Sequence, residues 1–382
     1  MSWIGKFTLL FMFFIALFSC TGNKNLSDSI IRLDVSKSYP EKIVTLEDIA
    51  DVKYVQMEFQ EDYLFRGNPS YISSSTIIIK GGANSNDFLF FTSEGKPKSK
   101  FNHHGQGPGE YLYTSSIVYD ETEEKLFILS NNKILVYSSD GEYNYSLPLP
   151  ENTRISHMVD YDKESLLIYH ESNSYSKSFV RISKKDASVI EEIDIPDRKE
   201  ISLRVTIRSG EMVSIYIAPL SNIVKYNDGF LLTDHSSDTV IFYGRNNELN
   251  PVLVRTPPIF EMDPYVYINS YVEAGDYLFL QKVTVKLENE RVKSDFLMIN
   301  KYDQSVYKQK IFLKEFKDKE VNLSPEVIRT VDNSGIGFIR LSLDELRVAY
   351  DENKLSGKLK ELVEASDEDS NDIFMILNFK KN

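Results

Sequence analysis

The chain has 382 residues, 57 of them acidic (Asp and Glu) and 44 basic (Lys and Arg), so its net charge is −13 at neutral pH. Because the basic residues are scattered rather than clustered, the composition argues against a nucleic-acid partner. The one cysteine, Cys20, excludes an intrachain disulfide and a zinc site made of several cysteines. Tyr and Phe are abundant, at 23 each, and aromatic residues favour strands and sheet packing.

The N-terminal residues indicate export. Lys6 precedes an apolar run at residues 7–18, which is too short to span a bilayer comfortably and is typical of a signal peptide. Ser19 and Cys20 follow, and this arrangement resembles the bacterial lipoprotein signal. The resemblance implies cleavage before Cys20 and a lipid on that cysteine, with a signal peptide at residues 1–19 and a lipidated tether at residues 20–29. The alternatives are a secreted protein without lipid and a retained N-terminal anchor.

Strand signals begin after the tether. Residues 30–35 and 53–59 alternate between apolar and polar side chains, and a short helical turn is predicted between them at residues 46–50. The domain is predicted to extend from residue 30 to residue 382.

A repeat follows, in which apolar strands, interpreted as the inner strands of the units, start at Phe88, Leu126, Leu166, Phe230 and Tyr277. A spacing of roughly 40–50 residues, with four short strands in each unit, predicts a β-propeller. The longer gap between Leu166 and Phe230 predicts an inserted hairpin or loop at residues 198–217. A β-sandwich made of consecutive hairpins is the alternative fold.

The C-terminal segment has a helical pattern. Ser342 and Glu345 have the spacing of a capping box, and the leucines that follow predict a bent helix, or two short ones, at about residues 342–366. A closing strand is predicted at about residues 372–379. We expect it to pair with the N-terminal region, because closure of the ring removes a free sheet edge.

The most distinctive motif is Gly-Gln-Gly-Pro-Gly-Glu-Tyr at residues 105–111. Glycine allows positive φ and close backbone approach, and Pro108 fixes φ, so the motif is interpreted as a rigid turn that links two blades. The alternative is a nest of backbone amides that binds an anion, with Gln106 and Glu110 orienting the ligand. It is not a P-loop, since no Lys-Ser or Lys-Thr follows Gly109. The candidate ligand-binding residues are His103, His104, Gln106, Glu110 and Tyr111.

Metal ligands are only weakly indicated. His103 and His104 would point to opposite faces of a strand, whereas His170 and His235 could meet in a central channel. The carboxylates of Asp120, Asp160 and Asp234 lie beside predicted inner strands, where they would suit calcium or sugar hydroxyls. The sequence requires no cofactor, and calcium is the one that the carboxylates could accept. No catalytic set is recognised.

Several of these features together resemble the six-bladed β-propeller lipoproteins, an NHL-like family of Gram-negative gut anaerobes. They are the lipoprotein signal, the Asp-Ile-Ala-Asp start at residues 48–51, the motif at residues 105–111, and the leucine-rich helix before an Ile-Phe-Met-Ile-Leu strand. The resemblance implies six blades and a membrane-anchored, extracytoplasmic protein, but no activity. Residues 21–25 lack the acidic residues that often follow the cysteine of surface-exported lipoproteins, which favours the periplasmic side.

The predicted fold is therefore an all-β, six-bladed propeller of four-stranded antiparallel blades, with a short C-terminal helix before a closing strand. The predicted function is a binding or scaffold module for a glycan, a peptide or an envelope protein, attached to the membrane through the lipid on Cys20. One alternative is a lyase or lactonase with a metal in the channel. Another is a purely structural subunit with a protein partner.

Overall fold

The computed structural model describes residues 30–65, 67–81, 86–171, 174–195, 204–209, 212–217, 222–234, 236–286, 291–325, 336–367 and 370–380. Residues 1–29, with Cys20, lie outside the described residues, and so does His235. In the described part of the chain, no helix is long and apolar enough to span a membrane.

The N-terminal segment supplies one strand to each of three different sheets. Its elements are β1 (Ile31–Asp34), β2 (Glu41–Thr45), the short helix α1 (Leu46–Ile49) and β3 (Ala50–Gln56). The helix lies where the sequence predicted a helical turn. Each of these three strands extends a sheet whose other strands come from much later in the chain.

Three consecutive sheets, blades 1 to 3, each contain four antiparallel strands in sequential order. Blade 1 contains β4 (Pro69–Ile72), β5 (Thr76–Lys80), β6 (Phe88–Thr92) and β7 (Pro97–Phe101). Blade 2 contains β8 (Ser116–Asp120), β9 (Lys125–Ser130), β10 (Lys133–Ser138) and β11 (Tyr143–Pro148). Blade 3 contains β12 (Ile155–Asp160), β13 (Ser165–His170), β14 (Phe179–Ser183) and β15 (Val189–Ile193).

A hairpin of β16 (Arg204–Ser209) and β17 (Met212–Ile217) follows, within the segment where the sequence predicted an insertion. Blade 4 contains β18 (Ile223–Tyr226), β19 (Gly229–Leu232), β20 (Thr239–Tyr243) and β21 (Leu249–Thr256). Blade 5 contains β22 (Tyr265–Ala274), β23 (Tyr277–Lys286), β24 (Arg291–Asn300) and β25 (Val306–Phe312), and β25 also pairs with β26 (Glu320–Val321). Strands β1 and β2 add in parallel to the outermost strands, β21 and β25.

Blade 6 joins the two ends of the chain. In the described residues it contains β27 (Ile336–Leu341), β28 (Ile373–Phe379) and the N-terminal strand β3, all antiparallel. Two helices, α2 (Leu343–Asp351) and α3 (Gly357–Glu364), lie between β27 and β28. The predicted six-bladed ring, with a helical segment before the closing strand, is therefore confirmed.

The buried apolar side chains of the described residues form six clusters, one between each pair of neighbouring blades. The first strands of successive blades contact one another, which places them innermost in the ring. The strands that start near Leu126, Leu166, Phe230 and Tyr277 are second strands, and the strand at Phe88 is a third strand. Describing them as inner strands was therefore wrong. Middle strands are covered on both faces and both edges, so they have the longest apolar runs.

The predicted capping box does not form. Ser342 precedes α2, but its side chain makes no capping hydrogen bond. Instead the amide of Leu343 donates to Oδ1 of Asp372 at 2.9 Å, and Glu345 contacts Lys319. A carboxylate from a distant part of the chain thus takes the place of the local cap.

Candidate functional site

The motif at residues 105–111 lies between β7 and β8 and so connects blade 1 to blade 2. We call residues 102–115 the link. Tyr111 anchors it from within: its ring packs edge-on against Phe88, with centroids 5.6 Å apart, and its hydroxyl donates to the carbonyl of Asn86 at 2.8 Å. The same hydroxyl accepts a hydrogen bond from the amide of His103 at 3.0 Å. Burial raises the pKa of Tyr111 to about 12, so it stays neutral and faces the core.

The concave side of the glycine turn is occupied by Glu110. The amide of Gly107 donates to Oε2 of Glu110 at 2.8 Å. A Cβ on Gly105 would lie 2.0 Å from the same oxygen, so a larger residue there would require the Glu110 carboxylate to move. The Gly107 amide, one of those expected to bind an external anion, therefore binds a carboxylate of the link itself, and the Gly105 amide donates to the carbonyl of Tyr111.

His103 is half-buried, whereas His104 is exposed. The ring of His103 stacks on Tyr137 at 5.2 Å, and its Nε2 lies 2.7 Å from the carbonyl of Gly141, to which it donates. The side chains of His104 and Gln106 are exposed. The link is thus held from below by buried contacts and presents polar side chains to solvent.

Two of the three predicted carboxylates are brought together by a lysine. Asp120 ends β8 and Asp160 ends β12, both innermost strands, and Lys184 reaches them from the turn between β14 and β15. The Lys184 ammonium lies 2.6 Å from Oδ2 of Asp120 and 2.7 Å from Oδ1 of Asp160. The side chains of Lys184 and Asp120 are only 8% and 6% exposed, whereas that of Asp160 is 42% exposed.

The charges of this cluster depend on one another. Burial opposes the charge of Lys184, but the carboxylates of Asp160 and Asp120 outweigh it and raise the lysine pKa. Burial would also raise the pKa of Asp120, yet the hydrogen bonds from Lys184 and from the amides of Glu123 and Thr122 hold that pKa below its usual value. Partial desolvation raises the pKa of Asp160, although its side chain keeps some contact with solvent. The ammonium sits between two of the carboxylates that the sequence offered to calcium or to sugar hydroxyls, and so joins blade 2 to blade 3.

The other candidate residues are held by local contacts. Asp234 is buried, and its Oδ1 accepts a hydrogen bond from the amide of Ser236 at 2.8 Å. His170 is also buried, and its Nε2 lies 2.7 Å from the carbonyl of Lys177. Its predicted partner His235 is outside the described residues. Among the residues that the structure describes, no group of three or more His, Cys, Asp or Glu side chains is arranged to hold a metal ion.

Sequence reasoning missed Lys184. It lies in a polar turn, Ser-Lys-Lys-Asp, where a lysine is ordinarily a solvated surface residue. Its contacts are made 64 and 24 positions back along the chain, to Asp120 and Asp160. Only the packing of blade 3 against blade 2 brings the three side chains together.

Comparison with known proteins gives a family and a fold. The model of a family described as a domain of unknown function, DUF4934, matches residues 30–378. No curated protein matches the sequence. The crystal structure of a protein from Bacteroides fragilis, described as exported, aligns with 18% identity and a TM-score of 0.61, over 92% of this chain and 100% of that one.

A member of the DUF4221 family from Bacteroides vulgatus aligns with 11% identity and a TM-score of 0.48, over 87% of this chain and 99% of that one. At 18% identity, the likeness to the Bacteroides fragilis structure shows the fold alone. The resemblance to NHL-like lipoproteins is matched only in the six-bladed arrangement. Because the DUF4934 model matches most of the sequence, the chain belongs to the DUF4934 family.

Proposed function

We propose that the protein is an extracytoplasmic propeller, anchored by a lipid on Cys20, that binds a glycan, a peptide or a protein of the cell envelope. The observation that carries the binding role is the link between blades 1 and 2. Its backbone is fixed by Tyr111, His103 and Glu110, while His104 and Gln106 remain exposed. A loop that is already ordered loses little conformational entropy on binding, and ligand contacts concentrate in such loops on rigid scaffolds.

The binding role is tested by thermal unfolding of the full chain in detergent with a panel of envelope glycans and peptides. A ligand at a hundred times its dissociation constant stabilises the folded state by about 2.7 kcal/mol, which gives a clear shift in Tm. We expect His104→Ala and Gln106→Ala to reduce the shift, and Asp140→Ala, at an exposed turn position of blade 2, to leave it unchanged. Equal ligand-induced shifts in Tm in all variants would show that the link is not part of the binding site.

Two observations support the proposed location. The N-terminus has the pattern of a lipoprotein signal, and a structural relative is described as exported. We expect a palmitate analogue to label the protein and Cys20→Ala to abolish the label. If the protein faces the periplasm, protease added to intact cells should not cleave it. Labelling that survives Cys20→Ala would contradict the lipid anchor.

A further inference from the structure

The interface between blades 1 and 2 changes from apolar to cationic at one end. Ile78 of β5 belongs to the buried cluster between the two blades. Lys80 is two residues further along the same strand, so its side chain leaves the sheet on the same face. Lys80 therefore extends the surface that blade 1 presents to blade 2.

Blade 2 shows the same change on the facing surface. Ile128 of β9 and Leu135 of β10 belong to the same cluster. Ser130 lies two residues after Ile128 on β9, and Lys133 lies two residues before Leu135 on β10. Both are next to the turn that joins the two strands, and they pair with each other across the ladder. A serine and a second lysine thus continue the surface that blade 2 presents to blade 1.

Both lysines contact the link. Nζ of Lys80 donates to the carbonyl of Thr114 at 3.0 Å, and Nζ of Lys133 donates to the carbonyl of Pro108, also at 3.0 Å. An ammonium group has three donors, so each lysine keeps capacity for a further acceptor. Within the described residues, neither lysine forms an ion pair, although the chain has more acidic than basic residues.

The surrounding polar groups are also incompletely paired. Thr114 Oγ1 and Ser130 Oγ are buried and have no hydrogen-bond partner in the part of the chain that the structure describes. Buried polar groups in folded proteins nearly always have a partner. Burial lowers the pKa of Lys80, so an anion beside it would be stabilised more strongly than one at an open surface. At this end of the interface, the described residues therefore supply fewer hydrogen-bond acceptors than the lysine and hydroxyl donors could use.

An exposed aromatic residue is next to Thr114 in the link. Tyr113 precedes Thr114 in the link, and it is 72% exposed, the largest exposure among the large hydrophobic side chains described. An exposed tyrosine offers an apolar ring face and a hydroxyl at its edge. That combination suits a sugar, which has both C–H faces and hydroxyl groups.

We propose that Lys80 and Lys133 bind the carboxylate of an acidic saccharide at the link end of the blade 1–blade 2 interface, with Tyr113 against the sugar ring. This inference rests on the binding role proposed above and names its ligand class. The acidic protein surface repels long polyanions, so a short saccharide with few charges is the ligand that these residues fit.

The test is calorimetric titration of the full chain in detergent with glucuronate and galacturonate, and with glucose and galactose as neutral controls. We expect binding of an acidic sugar and not of its neutral counterpart. Lys80→Gln and Lys133→Gln should each weaken binding about tenfold or more, because each removes a charged hydrogen-bond donor. Lys98→Gln is the matched control, since Lys98 pairs with Glu124 at 3.8 Å on the surface.

The outcomes separate this inference from the binding role. If neither acidic sugar binds at millimolar concentration, or if both lysine variants bind as the wild type does, the inference is overturned. A peptide or neutral glycan that binds the wild type and the lysine variants equally would support the binding role but overturn the inference of an acidic saccharide. Equal affinity for inorganic sulfate would overturn the assignment of a saccharide. Lys133 is the less buried of the two lysines, so its variant keeps the test valid if Lys80→Gln folds poorly.

Discussion

The amide of Gly107 donates a hydrogen bond of 2.8 Å to the carboxylate of Glu110, three residues later in the link. The link thus carries its own anion. We expect Glu110→Ala to lower the free energy of unfolding by about 1 kcal/mol, because the bond is exposed to solvent. Inorganic phosphate should then stabilise Glu110→Ala more than the wild type, because the amide of Gly107 becomes available to an external anion. Thermal unfolding with and without phosphate measures this, and equal responses would contradict it.

The cluster of Lys184 with Asp120 and Asp160 should be essential to stability. Lys184→Met leaves two carboxylates facing each other without a cation, and removing one partner of a buried pair costs about 3–5 kcal/mol. Lys185→Met, one position later and exposed, is the control and should be nearly neutral. Chemical denaturation distinguishes them, and equal stability of the two variants would contradict the role assigned to Lys184.

The same cluster predicts a pH dependence. The pKa of Asp120 lies below its usual value of 3.8, so its contribution to stability is present above that value and is lost as the pH falls through the lowered pKa. In Lys184→Met, protonation instead relieves the repulsion between the two carboxylates. The difference in Tm between wild type and variant should therefore shrink as the pH is lowered from about 7 to about 3. A difference that stays constant would exclude this linkage.

The start of α2 should depend on Asp372 and not on Ser342. Asp372 accepts a hydrogen bond from the amide of Leu343 and pairs with Arg340 at 2.6 Å. We expect Asp372→Ala to cost about 1–2 kcal/mol, and Ser342→Ala, which removes no capping bond, to stay within about 0.5 kcal/mol. Chemical denaturation of the two variants measures both losses of stability. A larger loss for Ser342→Ala than for Asp372→Ala would show that Ser342 caps the helix after all.

Closure of the ring gives a further prediction. Leu377 of β28 is fully buried beside the N-terminal strand β3, whereas its neighbour Asn378 is exposed. Leu377→Ala should destabilise the protein by about 2–5 kcal/mol, and Asn378→Ala should have little effect. If both are neutral in thermal unfolding, blade 6 does not contribute to the cooperative unit.

Local patterns in the sequence predicted the ring because middle strands such as those at Leu126 and Leu166 are buried on both faces and form uninterrupted apolar runs. The same patterns gave the closing strand. They could not give the parallel addition of β1 and β2 to blades 4 and 5, since that pairing joins residues more than 200 positions apart. The cluster around Lys184 and the cationic end of the interface at Lys80 were missed for a related reason. Each is formed by two blades, and neither has a motif within one blade.

The place of β1 also limits how far the domain can lie from a membrane anchor. Ile31 pairs with Leu253 on the outer edge of blade 4, and eleven positions separate it from Cys20. A chain of that length reaches at most about 40 Å, so a lipid on Cys20 would keep the outer edge of blade 4 within about 40 Å of the bilayer. Blade 1 is opposite blade 4 in a ring of six, so the link lies across the ring from the point where the tether enters the fold.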